Sequence, residues 1–372
     1  MISPKEVYET LQNLEVDFYA GVPDSLLKDL CAYITEHNKD NHIISANEGS
    51  SVGLAIGHHL ATGKVPVIYM QNSGLGNIVN PILSMADKDV YGIPMLMIIG
   101  WRGEMENGEQ LKDEPQHKTQ GRLTCEILDA MEIPYVVIDK DTDIKTVLND
   151  MVAKTKKLSS PVAILVRKGT FEKYSLESTS NGYDMTRENA IEHFVDTLTE
   201  NDVVVGTTGM PSRELFEVRK AKGHDNNDFL CVGGMGHASS IAVGVAQANT
   251  NKTVWCLDGD GALIMHMGAL SVNKDYDINH VVLNNGAHDS VGGQPTVAFE
   301  IDLVDVAKGN GYKWGKSVAT EDELKTALTE IKSAPKPAFL EIRVAKGNRP
   351  DLGRPTLTPV ETKNIFMKKV DE

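Results

Sequence analysis

The amino-acid sequence carries one series of landmarks twice. The segment Gly21–Leu27 (GVPDSLL) in the first half corresponds to Gly209–Leu215 (GMPSREL) in the second. In each half a small-residue segment follows, and its last glycine stands 17 residues before the next landmark glycine. These matching pairs are Gly57 with Gly74 and Gly244 with Gly261. Each half closes with a β-branched run and a basic residue before glycine. Because the landmarks recur in one order at similar spacing, the sequence predicts a duplicated fold.

Short apolar runs alternate with helical patterns in both halves. Uninterrupted Val, Ile and Leu runs are typical of strands buried on both faces of a parallel sheet. The eight runs are residues 65–70, 95–100, 135–139, 163–167, 203–206, 253–257, 280–284 and 338–344. We therefore predict an α/β protein with two similar domains, each a doubly wound parallel sheet. Ligands of such sheets bind beyond the carboxyl ends of the strands.

A polar segment separates the two halves. Residues 172–184 are rich in Ser, Thr and Asn, which is typical of a linker. Thr186 follows as the predicted N-cap of a new helix. We place the first domain at residues 1–171, the linker at 172–185 and the second domain at 186–372.

The charge of the chain limits its partners. Lysine and arginine total 37 against 52 acidic residues, a formal net charge of −15. Such a surface repels phosphate backbones and anionic lipid, so we expect no nucleic-acid or membrane partner. The four cysteines (Cys31, Cys125, Cys231 and Cys256) show no metal-binding spacing. The N-terminal residues show no export signal, and we expect a cytoplasmic protein.

The sharpest local motif is Asp258-Gly-Asp-Gly-Ala, where the run 253–257 meets a predicted helix at 262–272. Glycines let the backbone approach a ligand closely, and a helix start offers free N–H groups to an anion. Asn285 ends the next predicted strand and should lie beside this turn. A carboxylate from Asp260, an amide oxygen and a loop carbonyl suit Mg²⁺. The alternative is an ordinary glycine turn with loop asparagines.

Gly-Asp-Gly followed by Asn-Asn at the end of the next strand resembles the motif of the thiamin-diphosphate-dependent enzymes. The resemblance covers nearly the whole chain and implies a pyrimidine-binding domain followed by a diphosphate-binding domain. It implies that Mg²⁺ is bound by Asp260, Asn285 and the carbonyl of Ala287. Other residues that it implies to contact thiamin diphosphate are Asn72, Ser73, Gly74, Gly233, Gly234, Met235, Gly259, Gly261 and Ala262. For Met235 the alternative is a plain core methionine.

Glu48 directly precedes a small-residue helix that should be buried. A buried carboxylate is costly unless a partner uses it. By the same resemblance Glu48 meets N1′ of the cofactor and promotes ylid formation, while the carbanion chemistry belongs to the cofactor. The alternative is a carboxylate stabilised by the helix dipole. The resemblance also implies a homo-oligomer with active sites at the subunit interface.

The polar segment Trp101–Arg122 is long enough to predict a functional loop or lid. It supplies local positive charge in an acidic chain. Further catalytic candidates, placed by resemblance, are Asp24, Ser25, His117 and His288. Histidines suit protonation of a carbanion near neutral pH. Candidate cations for an anionic 2-oxo acid are Arg102, Arg122 and Arg213, although Arg213 could serve the diphosphate instead.

A closer resemblance is to the phosphonopyruvate and sulfopyruvate decarboxylases, carried by Gly21–Leu27, by Asp113–His117 and by the short two-domain chain. One continuous chain favours a lyase of phosphonate biosynthesis that releases CO₂ from phosphonopyruvate. The alternatives are a sulfopyruvate decarboxylase and a carboligase of the acetolactate synthase type, which typically has a further middle domain. A catalytically silent relative would have lost Glu48 or the Asp260–Asn285 pair.

Overall fold

The computed structural model describes residues 1–177, 179–249 and 251–372. The chain divides into two compact units, one formed by Met1–Glu177 with Val291–Gln294, the other by Ser178–Ser290 with Pro295–Glu372. Along the chain, the main boundary between them falls inside the predicted linker 172–185. The sequence did not indicate that residues 291–294 belong with the first unit, where the Gln294 side chain donates to the Lys28 carbonyl.

The first unit contains a six-stranded sheet in which every neighbouring pair is parallel. Its strands are β1 Tyr19–Gly21, β2 His42–Ile44, β3 Val67–Gln71, β4 Met95–Gly100, β7 Tyr135–Ile138 and β8 Pro161–Val166, with a separate antiparallel hairpin of β5 Met105–Glu106 and β6 Glu109–Gln110. Its helices are α1 Pro4–Asn13, α2 Lys28–His37, α3 Glu48–Thr62, α4 Leu75–Pro81, α5 Pro115–Ala130 and α6 Ile144–Leu158. The order across the sheet is β2-β1-β3-β4-β8-β7.

The second unit repeats this topology. Its strands are β9 Asp202–Gly206, β10 Phe229–Leu230, β11 Thr253–Gly259, β12 Ile278–Asn284, β13 Trp314–Val318 and β14 Ala338–Arg343. Its helices are α7 Arg187–Thr197, α8 Met210–Ala221, α9 Ala238–Ala248, α10 Asp260–Met265, α11 Leu270–Asn273, α12 Leu303–Gly309, α13 Glu321–Ser333 and α14 Pro359–Asp371. All neighbouring strands are parallel in the order β10-β9-β11-β12-β14-β13, which matches the first unit strand for strand. The predicted duplication and fold class are confirmed.

The central strands explain why each sheet is covered on both faces. Every residue of β4 is buried; Leu96 and Ile98 pack in one apolar cluster, whereas Met97 and Ile99 pack in another. Successive side chains of a strand point to opposite faces, so an uninterrupted apolar run needs cover on both sides. Burying one such side chain contributes about 1.5–3 kcal/mol. No helix in the described part of the chain combines the length and apolarity needed to cross a bilayer.

All eight predicted runs lie in strands whose ends differ from the prediction by no more than two residues. Thr186 is confirmed as an N-cap, since its side chain accepts from the Asn189 N–H. Two local predictions were wrong. The predicted helix 262–272 is broken, because α10 ends before His266, whose φ of −131° is not helical. The predicted loop 101–122 contains a hairpin and the start of α5, where Pro115 occupies the first turn that proline favours.

Candidate cofactor and substrate site

In the second unit, the Gly-Asp-Gly turn ends β11 and begins α10. Asp260 is the first residue of α10 and only 4% exposed. The Thr296 hydroxyl donates to its Oδ2 at 2.5 Å. Burial raises the pKa of Asp260 to about 6, because a carboxylate loses its hydration there. A cation beside this carboxylate would relieve that cost.

Asn285 follows β12, which is the direct neighbour of β11. Its side chain is buried, and its amide nitrogen donates to Asp289 Oδ2 at 2.6 Å. Its amide oxygen accepts from the Ala287 N–H at 3.1 Å and keeps a second lone pair. The predicted proximity of the Asp260 turn and the Asn285 turn follows from this strand order.

Three further predicted residues, Gly261, Met235 and His288, lie close together because glycine has no side chain. A Cβ on Gly261 would lie 2.8 Å from His288 Cε1 and 3.2 Å from Met235 Cε. A Cβ on Gly236 would lie 2.9 Å from the Ala262 carbonyl oxygen, and the positive φ of 85° also favours glycine. The segment 233–236 therefore lies against the Gly261 turn. Burial lowers the pKa of the His288 imidazole to about 4, so this ring is neutral near pH 7.

The residues at this edge fit the groups that the resemblance implies. Asp260, Asn285 and backbone carbonyls are hard oxygen donors, and Mg²⁺ takes such ligands while sharing its sphere with phosphate. Thr207, which follows β9, was not among the residues predicted from the sequence. Its hydroxyl is buried and has no hydrogen-bond partner among the described residues. Its methyl group lies 4.0 Å from a Cβ built on Gly259, so an unused donor stands beside the glycine turn. Its position directly after the predicted run 203–206 and before the Gly209 landmark was the available signal.

In the first unit, Glu48 is the first residue of α3 and is 6% exposed. The Asn77 amide donates to Glu48 Oε2 at 2.7 Å. A Cβ on Gly74 would lie 2.6 Å from Glu48 Oε1, so only glycine leaves room for this carboxylate. The prediction that Glu48 and Gly74 belong to one site agrees with this contact, and Asn77 is an additional residue that the sequence analysis missed.

The other two residues of the Asn72-Ser-Gly turn bond within their own unit. The Asn72 amide donates to the Arg102 carbonyl and to the Thr124 hydroxyl, both at 2.9 Å, and accepts from the Arg102 N–H. The Ser73 hydroxyl donates to Gln71 Oε1. The side chain of Asn72 thus anchors the start of the loop after β4, and any cofactor contact of Asn72 would use its backbone.

Asp24 is fully buried after β1. It accepts hydrogen bonds from the Leu26 and Leu27 N–H groups and from the Gln71 amide. Burial is the largest cause of its raised pKa, and these hydrogen bonds oppose it only in part. A Cβ on Gly100 would collide with its Oδ2, so β4 ends in glycine where Asp24 lies.

Arg102 links several candidates of the first unit. Its guanidinium forms a two-point ion pair with Asp113 and donates to the Ser25 hydroxyl at 3.1 Å. These residues line a cavity of about 400 Å³, together with Lys112 and Lys168. The sequence analysis had not singled out Asp113 or Lys168 for chemistry, although Lys168 belongs to the basic-glycine turn after β8. The cavity is lined by three cations and by two carboxylates, Glu104 and Asp113, so positive charge is in slight excess.

His117 is buried in the first turn of α5. Its Nδ1 has no hydrogen-bond partner in the described ranges. Burial, with help from the Arg102 charge, lowers the pKa of its imidazole, which stays neutral near pH 7. An unpaired ring nitrogen of this kind can accept a proton.

The other two predicted arginines are placed differently. Arg122 is exposed on α5, whose buried face carries His117, Gly121 and Thr124, and it does not line the cavity. The structure of the single chain therefore does not bring Arg122 together with Arg102, and its role as a substrate cation stays a prediction. Arg213 lies in the first turn of α8 in the second unit, where partial burial lowers its pKa.

Two family models match this chain. Residues 5–133 match the N-terminal thiamine pyrophosphate (TPP) binding domain of thiamine pyrophosphate enzymes, and residues 205–342 match their C-terminal TPP binding domain. Together with the two six-stranded parallel sheets and the glycine turns that follow their strands, these matches define the class. The chain belongs to the thiamine pyrophosphate enzyme family and is a thiamin-diphosphate-dependent 2-oxo acid decarboxylase.

Individual relatives show which members of this family the chain is similar to. The chain is 32% identical to the phosphonopyruvate decarboxylase of Streptomyces viridochromogenes, over 98% of this chain and 94% of the relative. It is 30% identical to the phosphonopyruvate decarboxylase of Streptomyces hygroscopicus, over 100% and 95%. It is 27% identical to the sulfopyruvate decarboxylase of Methanosarcina acetivorans, over 100% and 98%.

Proposed function

We propose that this enzyme converts 3-phosphonopyruvate to phosphonoacetaldehyde and CO₂, in the biosynthesis of phosphonates such as 2-aminoethylphosphonate. The observation that supports an anionic substrate is the cavity in which three cations, Arg102, Lys112 and Lys168, outnumber two carboxylates. The preference for a phosphonate over a sulfonate rests on the higher full-length identity to phosphonopyruvate decarboxylases.

The proposed roles of the two halves follow the duplicated fold. Residues 1–171 would bind the pyrimidine, residues 172–185 would link the domains, and residues 186–372 would bind diphosphate and Mg²⁺. The metal ligands would be Asp260, Asn285 and the Ala287 carbonyl. The residues proposed to line the cofactor on this side are Gly233, Gly234, Met235, Gly259, Gly261 and Ala262.

Thiamin diphosphate supplies the carbanion chemistry of decarboxylation when bound. Glu48 would hold a proton shared with the pyrimidine ring, and Asn77 fixes the Glu48 carboxylate by its hydrogen bond. The groups that we propose to move protons to and from substrate are Asp24, His117 and His288. Burial favours the uncharged form of all three, since it raises the pKa of Asp24 and lowers the pKa of both imidazoles.

The substrate has two anionic ends with different needs. The phosphonate should pair with Arg102 and its neighbouring lysines, while Ser25, which accepts from Arg102, helps to fix the guanidinium. The carboxylate should remain without a cationic partner, because a poorly solvated carboxylate is destabilised relative to the charge-dispersed state reached as CO₂ leaves.

We further propose that the enzyme is a homo-oligomer whose active sites lie at the subunit interface. Two helices support this, since each exposes glycine and apolar groups. On α3, Gly53, Gly57 and Leu60 are exposed, and Leu60 is 72% exposed. On α9, Gly244 is exposed in the matching position of the repeat. Small residues permit close helix packing, so a second copy would cover these faces.

The test is an assay of CO₂ release by purified protein with thiamin diphosphate and Mg²⁺. Phosphonopyruvate should give the highest kcat/KM among phosphonopyruvate, sulfopyruvate and pyruvate. A preference for sulfopyruvate would replace the proposal by the alternative that the Methanosarcina relative supports. Formation of acetolactate from pyruvate, with little aldehyde, would instead identify a carboligase.

A further inference from the structure

A buried charge network adjoins the Asn285 side chain in the second unit. Asp289 Oδ2 accepts three hydrogen bonds, from Asn285 Nδ2 at 2.6 Å, from the Gly347 N–H at 2.9 Å and from an Arg187 terminal nitrogen at 3.1 Å. Arg187 is 4% exposed. Its Nε and its other terminal nitrogen donate to the two oxygens of Glu214 at 2.6 and 3.0 Å.

The geometry of this network is rigid. A two-point arginine–carboxylate pair fixes the plane of the guanidinium, so the remaining nitrogen of Arg187 points in one direction, toward Asp289. Arg187 begins α7 and Glu214 lies on α8, two helices that pack against each other. The position of the Asp289 carboxylate is thereby set by the helical framework and by the backbone at Gly347.

The network also decides which way the Asn285 amide faces. A side-chain amide has a donor end and an acceptor end. With its nitrogen bonded to Asp289, the Asn285 oxygen lies at the opposite end of the amide, where it meets the Ala287 N–H. The flipped amide would set its oxygen against the Asp289 carboxylate and would lose a hydrogen bond to a charged group.

We propose that Asp289, held by Arg187 and Glu214, is a positioning residue that presents the Asn285 oxygen to Mg²⁺. The inference rests on the Mg²⁺ site of the proposed function. Partners that orient metal ligands typically change metal affinity about 10–100-fold when they are removed. Asp289→Asn in the full-length protein should accordingly weaken Mg²⁺ binding about 10–100-fold. Mg²⁺ titrations at saturating thiamin diphosphate measure this affinity, and melting of the protein without cofactor measures stability.

The second unit offers a matched control. Arg219 and Asp228 form another buried two-point pair, with distances of 2.9 and 2.7 Å, and within the described ranges neither is hydrogen-bonded to Asn285. Asp228→Asn should lower the melting temperature at least as much as Asp289→Asn, because each change removes a carboxylate partner from a buried arginine and Arg187 still keeps Glu214. Mg²⁺ affinity should stay at the wild-type value in Asp228→Asn. A wild-type Mg²⁺ affinity in Asp289→Asn as well would show a merely structural network and overturn the inference.

A double-mutant cycle separates positioning from direct ligation. If Asp289 acts through Asn285, then Asp289→Asn should change Mg²⁺ affinity less than about twofold in an Asn285→Ala background. A full additional loss there would mean that Asp289 binds the metal itself, which contradicts the inference. If Asp289→Asn does not fold, Asp289→Ser replaces it, because the serine side chain is too short to reach Asn285 and the same loss of Mg²⁺ affinity is expected. If the wild-type protein binds no Mg²⁺, the proposed metal site itself is refuted, and this outcome differs from a failure of the Asp289 proposal alone.

Discussion

At the scale of single residues, Glu48 and Asp260 are placed alike. Each is a buried carboxylate at the first position of a helix, and each lies beside a glycine of a landmark turn. Helix starts favour negative charge, yet burial of a carboxylate remains costly without a partner. For both side chains we therefore predict a role in cofactor binding, and stability measurements can distinguish this role from a purely structural one.

Glu48→Gln should still bind thiamin diphosphate, since the cofactor is anchored on the diphosphate side. It should slow the exchange of the thiazolium C2 proton with deuterium, because a neutral amide cannot hold the proton that Glu48 shares with the pyrimidine. The measurement is exchange at C2 of the bound cofactor, followed by NMR. Asn77→Ala is the graded companion, since it removes the donor to Glu48 and keeps the carboxylate. Wild-type exchange in Glu48→Gln would make this carboxylate structural.

Asp260→Ala should abolish Mg²⁺-dependent cofactor binding without unfolding the protein. Burial raises the pKa of Asp260 to about 6 and disfavours the ionised carboxylate, so its removal should cost the cofactor-free protein little stability. Isothermal titration with thiamin diphosphate and Mg²⁺ gives the affinity, and calorimetry gives the melting temperature. Equal cofactor affinity in variant and wild type would refute the metal assignment.

At the scale of elements, α5 and the loop before it distinguish two arginines that the sequence treats alike. Arg102 lines the cationic cavity, whereas Arg122 is on the exposed face of α5. Arg102→Ala should raise KM for phosphonopyruvate far more than for pyruvate, because a cation that pairs with a desolvated anion typically contributes about 2–5 kcal/mol. Arg122→Ala is the matched comparison: a selective rise in KM for phosphonopyruvate would keep Arg122 as a substrate cation, and small equal effects on both substrates would remove it.

The Arg102 variant leaves Asp113 without its guanidinium partner. A variant that lacks both side chains, Arg102→Ala with Asp113→Ala, removes the repulsion that an unpaired Asp113 would exert on phosphonate. If the double variant still discriminates against phosphonopyruvate relative to pyruvate, Arg102 itself supplies the attraction. Parallel losses on the two substrates would show that this cavity does not bind the phosphonate.

The edge strand β2 carries a pH-dependent contribution to stability. Burial lowers the pKa of His42 from 6.5 to about 4, and its Nε2 lies 2.7 Å from the Tyr69 hydroxyl. Between these pH values the unfolded chain binds more protons than the folded chain, so the unfolding free energy rises with pH. Acidification from about pH 6.5 to about pH 4 should cost up to about 3 kcal/mol through this group. Thermal melts across that range should fall less steeply for His42→Gln, and identical slopes would exclude the contribution.

At the scale of the whole molecule, the exposed faces of α3 and α9 test the proposed assembly. Apart from the backbone of its own helix and the adjoining residues, no described residue has a heavy atom within 4 Å of a Cβ built on Gly57 or on Gly244, so a side chain at either position fits the isolated chain. Gly57→Arg should therefore fold but dissociate the oligomer, since a charged side chain would enter a close helix contact. Light scattering after gel filtration measures the mass. Gly268→Arg is the control, because Gly268 is also open and its φ is not positive. Gly169→Arg is less suitable, because the φ of Gly169 is 76° and any side chain there would be strained. An unchanged mass in Gly57→Arg would place the interface elsewhere.

Local patterns in the sequence determined much of this protein. Apolar runs located eight of the twelve strands of the two parallel sheets, and matching glycines revealed the duplication. The apolar runs did not predict β1, β2 and β10, because strands of two or three residues carry little periodic signal. They did not predict β13 either, because that strand is more exposed than those that they predicted. The Gly-Asp-Gly turn and Asn285 were predictable as neighbours, since consecutive parallel strands end at one edge of a sheet.

Only the tertiary structure decided how the charged side chains pair. Arg187 meets Glu214 and Asp289, which are 27 and 102 residues away along the chain, and Arg102 meets Asp113 rather than standing free. Backbone geometry and strand burial follow from nearest neighbours in sequence, whereas an ion pair depends on which distant side chains folding brings within a few ångströms. The sequence by itself therefore determined the fold and predicted the ligand types, and the packing of helices on the sheets decided which charged side chains pair around them.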